Sequence, residues 1–378
     1  MSECRISDLV LDRYPRRVNE TLQAWDAADE LILRQLENRA ETIGALLVVN
    51  DGFGALSTAL AQHRPAALSD SSLAHAATRE NFARNHVDLE AVKFLTSFDP
   101  LPARIDTVVM KVPKSLALLE DQLHRIAPHL HDKTVVLAAA MTRHIHMSTL
   151  DLFAKIVGPT RTSLAEKKAR LIFCEPDPNL QRPPNRWPKT YTLIPGQEVV
   201  TNHAGVFAAE RLDGGARLLL EHLPRREGPQ RMVDLGCGNG VLGMKAALVN
   251  PKAEVAFVDE SYRAVASAEA TFRANLGPER IAHFVVGNGL FDLGSGAPAT
   301  VGFDLVLNNP PFHDNHSISD GTAWQMFVES RDALRSGGEL WVVGNRHLGY
   351  QAKLKRLFST CDIIASNAKF VVLRATKA

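Results

Sequence analysis

The sequence predicts an α/β protein made of two successive copies of one doubly wound sheet. Three observations carry that expectation. The C-terminal half alternates short apolar runs with helical stretches, a pattern that implies parallel strands with helices on both faces. A glycine-rich turn, Gly236-Cys237-Gly238-Asn239-Gly240, follows the first of those runs and opens a helix. The N-terminal half repeats the plan in the same order, with Asp51-Gly52-Phe53-Gly54-Ala55-Leu56 as its own turn.

In the C-terminal half the expected strands cover residues 232–235, 255–259, 283–286, 303–308, 340–344 and 369–374, the last forming a hairpin with 362–365. Helices are expected over 241–249, 264–275 and 323–334. Ligands of such a sheet bind beyond the carboxyl ends of the strands, near the point where strand order reverses. In the N-terminal half, residues 45–50 read as the first strand, and Leu68-Ser69-Asp70 parallels Phe257-Val258-Asp259. Asp51 falls opposite Asp234, and Arg143-His144 opposite Arg346-His347. Lys111-Val112-Pro113-Lys114 stands where Asn308-Asn309-Pro310-Pro311 stands later. The first copy therefore lacks an acceptor pair and gains two cations, and reads as a lapsed catalytic domain serving as a substrate platform. The expected division is 1–180 for that platform, 181–195 for a linker marked by Pro183-Pro184, and 196–378 for the catalytic domain.

With 378 residues the chain can bury two cores, and 45% hydrophobic with 22% charged residues is a globular composition. Spanning a bilayer takes a run of about 18 apolar residues, and none is present. The first residues lack the basic region and apolar core of a signal peptide, so a cytoplasmic location is expected. Cys4, Cys174, Cys237 and Cys361 are scattered, which argues against a zinc site or a disulfide framework. Cys237 reads as a small residue packed in the turn, and His313 and His316 as loop residues lining a target pocket rather than metal ligands.

A net charge of +1 does not announce a polyanionic partner. Local counts say more: residues 151–190 hold eight Lys/Arg against four Asp/Glu, and 345–360 hold Arg346, Lys353, Lys355 and Arg356 with no acid. Such clusters suit phosphate contacts, and a solvated helix face has the same composition.

The turn Gly236-x-Gly238-x-Gly240 removes side chains where the chain reverses and a ligand must approach backbone. Asp259, at the end of the next strand, suits ribose hydroxyls. Asn288 is placed to meet an adenine ring, and Asp234 to meet the cationic amino-acid end of a donor. Asn239 lies in the turn itself. The second motif, Asn309-Pro310-Pro311-Phe312, offers acceptors beside an aromatic face. An amino group conjugated to a ring is a poor nucleophile because its lone pair is delocalised. An Asn side-chain oxygen and the Pro310 carbonyl can accept its two N–H bonds and turn the lone pair toward an electrophile, in a loop stiffened by proline. Phe312 adds a stacking face.

Asp234-Leu235-Gly236-Cys237-Gly238-Asn239-Gly240 with Asp259 resembles the S-adenosylmethionine site of class I methyltransferases. Asn309-Pro310-Pro311-Phe312 resembles the motif of those that methylate amino nitrogens conjugated to a planar system. Leu22-Gln23-Ala24-Trp25-Asp26, Asn50-Asp51-Gly52-Phe53-Gly54, Lys111-Val112-Pro113-Lys114 and Asn309-Pro310-Pro311-Phe312-His313 together resemble the bacterial ribosomal RNA guanine-N2 methyltransferases with a duplicated fold, and the large-subunit member more than the small-subunit one. The resemblance implies two tandem Rossmann-like class I methyltransferase domains, the first degenerate. It implies cofactor contacts at Asp234, Gly236, Gly238, Asn239, Asp259, Asn288 and Asn309. Catalysis would fall to Asn309, Pro310 and Phe312. The basic stretches then read as contacts to 23S ribosomal RNA through Lys111, Lys114, Arg143, Lys167, Lys168, Arg346 and Lys353. No metal and no membrane are implied, and a monomer is expected. Methylation of an adenine N6 or a protein glutamine, and a non-enzymatic RNA-binding assembly factor, are the competing readings.

Overall fold

The computed structural model describes residues 6–16, 20–38, 42–290, 302–311 and 316–378, with the backbone alone for 316–320. The chain divides into two compact units, Met1–Trp187 and Pro188–Ala378.

The first unit holds β1 (Leu46–Val49), β2 (Ala66–Leu68), β3 (Lys93–Leu95), β4 (Thr107–Lys111), β5 (Val135–Met141), β6 (Thr160–Thr162) and β7 (Ala169–Cys174). They form one sheet in the order β3-β2-β1-β4-β5-β7-β6. Its helices are α1 (Ala27–Glu37), α2 (Ala55–Ala59), α3 (Ser72–Arg84), α4 (Leu116–Ile126) and α5 (Met147–Ile156).

The second unit begins with a hairpin of β8 (Lys189–Thr192) and β9 (Val199–Asn202). Its main sheet holds β10 (Gln230–Leu235), β11 (Ala253–Asp259), β12 (Ala282–Val286), β13 (Phe303–Asn308), β14 (Leu334–Asn345), β15 (Thr360–Ser366) and β16 (Phe370–Thr376). The order, β12-β11-β10-β13-β14-β16-β15, repeats that of the first sheet strand for strand. The helices are α6 (Gly214–Leu220), α7 (Val241–Val249), α8 (Tyr262–Leu276), α9 (His316–Ala333) and α10 (Tyr350–Leu354). In both sheets five strands are parallel and an antiparallel ribbon closes one edge, which includes the expected C-terminal hairpin.

The central strands are apolar on both faces because helices cover both. Met232, Phe257, Leu305 and Leu307 enter one core layer, and Val233, Leu235, Val306 and Phe327 the other. Phe257, Phe272 and Phe284 interlock at ring separations of 5.0 to 5.8 Å, seating α8 against β11 and β12. The two copies also cap corresponding helices alike. Ser71 accepts from Ala74 N–H at the start of α3, and Ser261 from Ala264 N–H at the start of α8.

Strand order reverses between β1 and β4 in one sheet and between β10 and β13 in the other. Register at those points aligns the copies residue by residue. Val49 pairs with Leu68 and Met110, as Leu235 pairs with Val258 and Asn308. Asn50 N–H donates to Leu68 O, as Gly236 N–H donates to Val258 O. Asn50 therefore corresponds to Gly236, Asp51 to Cys237, Ser69 to Asp259, Met110 to Asn308 and Lys111 to Asn309. This corrects the match of Asp51 with Asp234, and that of Asp70 with Asp259. Like letters in the two sequences sit one to three places out of hydrogen-bonded register.

The proline-rich stretch is tied to the first unit up to its end. Arg182 Nε donates to Ile156 O at 2.8 Å, Asn185 Nδ2 to Asp121 at 2.7 Å, and Trp187 Nε1 to Glu120 at 3.1 Å. Among the described residues no helix is long and apolar enough to cross a membrane.

Candidate active site

The carboxyl ends of β10, β11 and β13 hold most of the expected residues together. Gly236 and Cys237 N–H both donate to Val258 O, drawing the turn against the end of β11. Gly238 N–H donates to one oxygen of Asp259 at 3.0 Å, and Ser261 N–H to the other at 3.0 Å. Asp259 thus fixes the turn and the start of α8, and stays half-buried. Two glycines of the turn serve different ends. Gly238 has φ +54°, and a Cβ there would meet no heavy atom of the described residues within 4 Å. Gly240 has φ +74°, and a Cβ there would lie 2.7 Å from Ala268 Cα, so its role is the close packing of α7 on α8.

Two expected contacts turn inward instead. Asp234 is 1% exposed, and its Oδ2 accepts Gly243 N–H at 2.8 Å. Gly243 lets α7 sit directly on the strand, since a Cβ there would strike the Phe257 ring, and the carboxylate lies behind the turn. Burial pushes its carboxyl up to about 7, and the charge of Asp259 adds to the rise. So placed, the carboxylate braces the turn. Asn239 is 4% exposed. Its Nδ2 donates to Asn202 Oδ1 at 2.9 Å and lies 3.4 Å from the Tyr191 hydroxyl. It ties the β8–β9 hairpin to the turn rather than facing a cofactor. Asn288 lies half-buried just past β12, and Leu290 N–H, two residues on, is pinned by Glu329 of α9 at 2.9 Å. Burial pushes the Cys237 thiol well above its ordinary range, as a packing role requires.

At the end of β13, Asn309 is half-buried and Pro310 buried. Asn309 Oδ1 is sequestered from water and has no hydrogen-bond partner among the described residues. A buried acceptor left so costs about 1–3 kcal/mol, and a donor arriving with a ligand recovers it. Asn308 donates through Nδ2 to Leu235 O at 2.7 Å, and its own Oδ1 is also unpartnered. Sequence reasoning missed Asn308, Asn202 and Tyr191 as parts of this framework. The doubled asparagine before Pro310 was the available signal for the first, and nothing local marks the other two. Phe312 and His313 lie outside the described residues, and His316 opens α9 with its side chain undescribed.

The corresponding place in the first unit is closed by charge. Lys111 Nζ lies 2.6 Å from Asp26 and 2.7 Å from Asp29, with side-chain exposures of 18%, 46% and 6%. Burial pushes the Asp29 carboxyl up to about 6 against the pull of Lys111. Burial draws the Lys111 ammonium down, and Asp29 and Asp26 outweigh it and hold it above its ordinary value. Fully buried Asp51 accepts Ser57 N–H nearby. Lys111 is therefore corrected from a phosphate contact to an internal ion-pair partner. Lys114, Arg143, Lys167, Lys168 and Arg346 are exposed, and Lys353 is half-buried. Lys167 bridges Glu30 at 2.8 Å, and Lys353 lies 5.5 Å from the Tyr350 ring centre. No group of three or more His, Cys, Asp or Glu side chains among the described residues is placed to hold a metal.

Two family models match the chain in succession. Residues 1–178 match the RLMG N-terminal domain, and residues 197–374 the methyltransferase small domain. The ribosomal RNA large subunit methyltransferase G of Streptomyces avermitilis is 57% identical over 373 residues, covering 97% of this chain and 96% of its own. The protein of that name from Pseudomonas aeruginosa is 48% identical, covering 98% of each. Among solved structures, the T. thermophilus 16S rRNA N2 G1207 methyltransferase in complex with AdoMet and guanosine superposes with a TM-score of 0.73 at 20% identity, over 98% of this chain and 95% of its own. That likeness extends the duplicated methyltransferase fold to nearly the whole chain. At these identities and coverages the chain belongs to the ribosomal RNA large subunit methyltransferase G family.

Proposed function

We propose that the protein transfers a methyl group from S-adenosylmethionine to the exocyclic N2 amino group of a guanine in 23S ribosomal RNA. The observation that carries the reading is the buried, unpartnered Asn309 Oδ1 beside the glycine turn. The residues present fit the cofactor: no described heavy atom crowds the backbone of Gly238, and the half-buried Asp259 carboxylate holds the turn at the strand end where a ribose would lie. When bound, S-adenosylmethionine supplies an electrophilic methyl on a sulfonium.

The chain's own part is positioning. Asn309 Oδ1 accepts one guanine N2–H and the Pro310 carbonyl the other, drawing the nitrogen toward tetrahedral geometry with its lone pair toward the methyl. No strong base is needed, and the proton leaves to water once nitrogen carries positive charge. Phe312 stacks on the base, a contact worth about 1–3 kcal/mol. A duplex guanine has to be flipped to reach this site, or else lie in a loop. Lys114, Arg143, Lys167, Lys168, Arg346 and Lys353 serve RNA phosphates. Residues 1–180 act as the RNA platform and 196–378 as the catalytic domain, joined through 181–195. The protein works in the cytoplasm as a monomer.

The test is transfer of labelled methyl from S-adenosylmethionine to unmodified large- and small-subunit ribosomal RNA, followed by nucleoside mass spectrometry. Label in N2-methylguanosine from the large-subunit RNA is expected. Label in N6-methyladenosine keeps the mechanism and overturns the base, and no label in either RNA overturns the reading.

A further inference from the structure

Asn308 stands outside the acceptor motif, and the mechanism above does not use it. It is 0% exposed at the end of β13, directly opposite Leu235 in the register of the two strands that flank the switch point. Its Nδ2 donates to Leu235 O at 2.7 Å and lies 3.8 Å from Met326 Sδ on α9. Leu235 is the residue before the cofactor turn, and Asn309 follows Asn308 directly. One amide thus joins the last carbonyl before the turn to the strand that delivers the acceptor. Neighbouring parallel strands diverge where their ladder ends, so without that bond the separation of turn and acceptor is set by packing alone. The amide achieves this with its Oδ1 buried and without a partner among the described residues, an arrangement that stability alone disfavours.

The first copy supplies an internal control. Register puts Met110 in the place of Asn308, 1% exposed and packed among Leu47, Val49 and Ala138. A sheet of the same strand order therefore fills this position with an apolar side chain when no methyl is transferred beside it. We infer that Asn308 is a positioning residue for methyl transfer, fixing the spacing of the cofactor turn and the Asn309 acceptor through its bond to Leu235. The inference rests on methyl transfer at the Asn309 site and does not depend on which base is methylated.

The test uses the full chain. Asn308→Met, the first copy's residue, is expected to lower kcat about 100-fold, to leave the KM for S-adenosylmethionine within about threefold, and not to lower Tm. Asn308→Ser, which keeps a donor for Leu235 O, is expected to recover at least about tenfold of the loss. A kcat for Asn308→Met within about threefold of wild type overturns the inference. So does a Tm that falls with the activity, or an Asn308→Ser variant as slow as Asn308→Met. Wild-type protein assayed in parallel separates the two readings: a silent wild type sinks the reaction, whereas an active wild type matched by Asn308→Met sinks only the role of Asn308.

Discussion

The carboxyl ends of β4 and β13 hold corresponding residues of very different chemistry, the contrast expected if the second copy carries the proposed site and the first does not. Both follow the same strand order, and both face a turn whose last glycine is left-handed. At the end of β13 come two asparagines with unpartnered oxygens. At the end of β4 come Met110, packed in the core, and Lys111, locked to two aspartates. Ser69 takes the place of Asp259, and Asn50 bonds to Gln122 where Gly236 leaves space for Met326. Among the described residues, the second unit keeps the Asn308 and Asn309 oxygens buried without partners, and the first unit has Met110 and an ion-paired Lys111 in their places. Unsatisfied groups held in a rigid frame are what a site requires and what a scaffold discards.

That contrast can be broken at four points. Asn309→Ala removes the acceptor without touching the turn. Methyl transfer should fall about a thousandfold, with S-adenosylmethionine affinity by calorimetry within about threefold; activity above about a tenth of wild type defeats this account of the site. Lys111→Met gives the first copy an unpaired Asp29 in a buried setting. The first unit should lose about 3 kcal/mol, seen as a lower melting transition for that unit alone in scanning calorimetry. An unchanged transition would mean that the ion pair is not what holds the lapsed site together.

The third point is Asp234. Its carboxyl rises to about 7 in the ligand-free fold, so between about pH 4 and 7 the native unit binds more protons than the unfolded chain. Its contribution to stability is present at low pH and is lost as pH rises through 7. A cationic donor beyond the turn favours the ionised form, so S-adenosylmethionine affinity should tighten by about tenfold from pH 6 to 8. Asp234→Asn, which keeps an oxygen for Gly243 N–H, should flatten both trends, and a pH slope that survives the substitution would assign it elsewhere. The smallest effect belongs to Tyr191→Phe. Its hydroxyl lies 3.4 Å from Asn239, and the loss should stay below about 0.5 kcal/mol by chemical denaturation, because Asn202 holds Asn239 at 2.9 Å without it.

The strand runs, the glycine turn and the acceptor motif were legible because each is written in neighbouring residues. Alternation of apolar runs with helices fixes what a segment can become, and glycine spacing marks a turn wherever it falls. What stayed hidden depends on contacts across the chain. Nothing near Lys111 says that Asp26 and Asp29, more than eighty residues earlier, neutralise it. The inward rotation of Asn239 is set by Asn202 on a hairpin that the sequence leaves unmarked. Aspartate matches aspartate between the halves in sequence, yet the two ladders make Val49 correspond to Leu235 and carry Asp51 to the place of a cysteine. Register answers to backbone hydrogen bonds, and side-chain identity follows it.

Lys111 gives the first unit a resident cation, paired with Asp26 and Asp29, at the position that corresponds to Asn309 in the second. On the proposed function, one half of the protein is braced by an ion pair of its own, and the other gains its cation only with the cofactor. Donor scarcity should therefore soften the second unit and leave the first as firm as before. On the proposed function, a cell depleted of methyl donor would still hold a stable first unit, and restored supply would have only the second to settle.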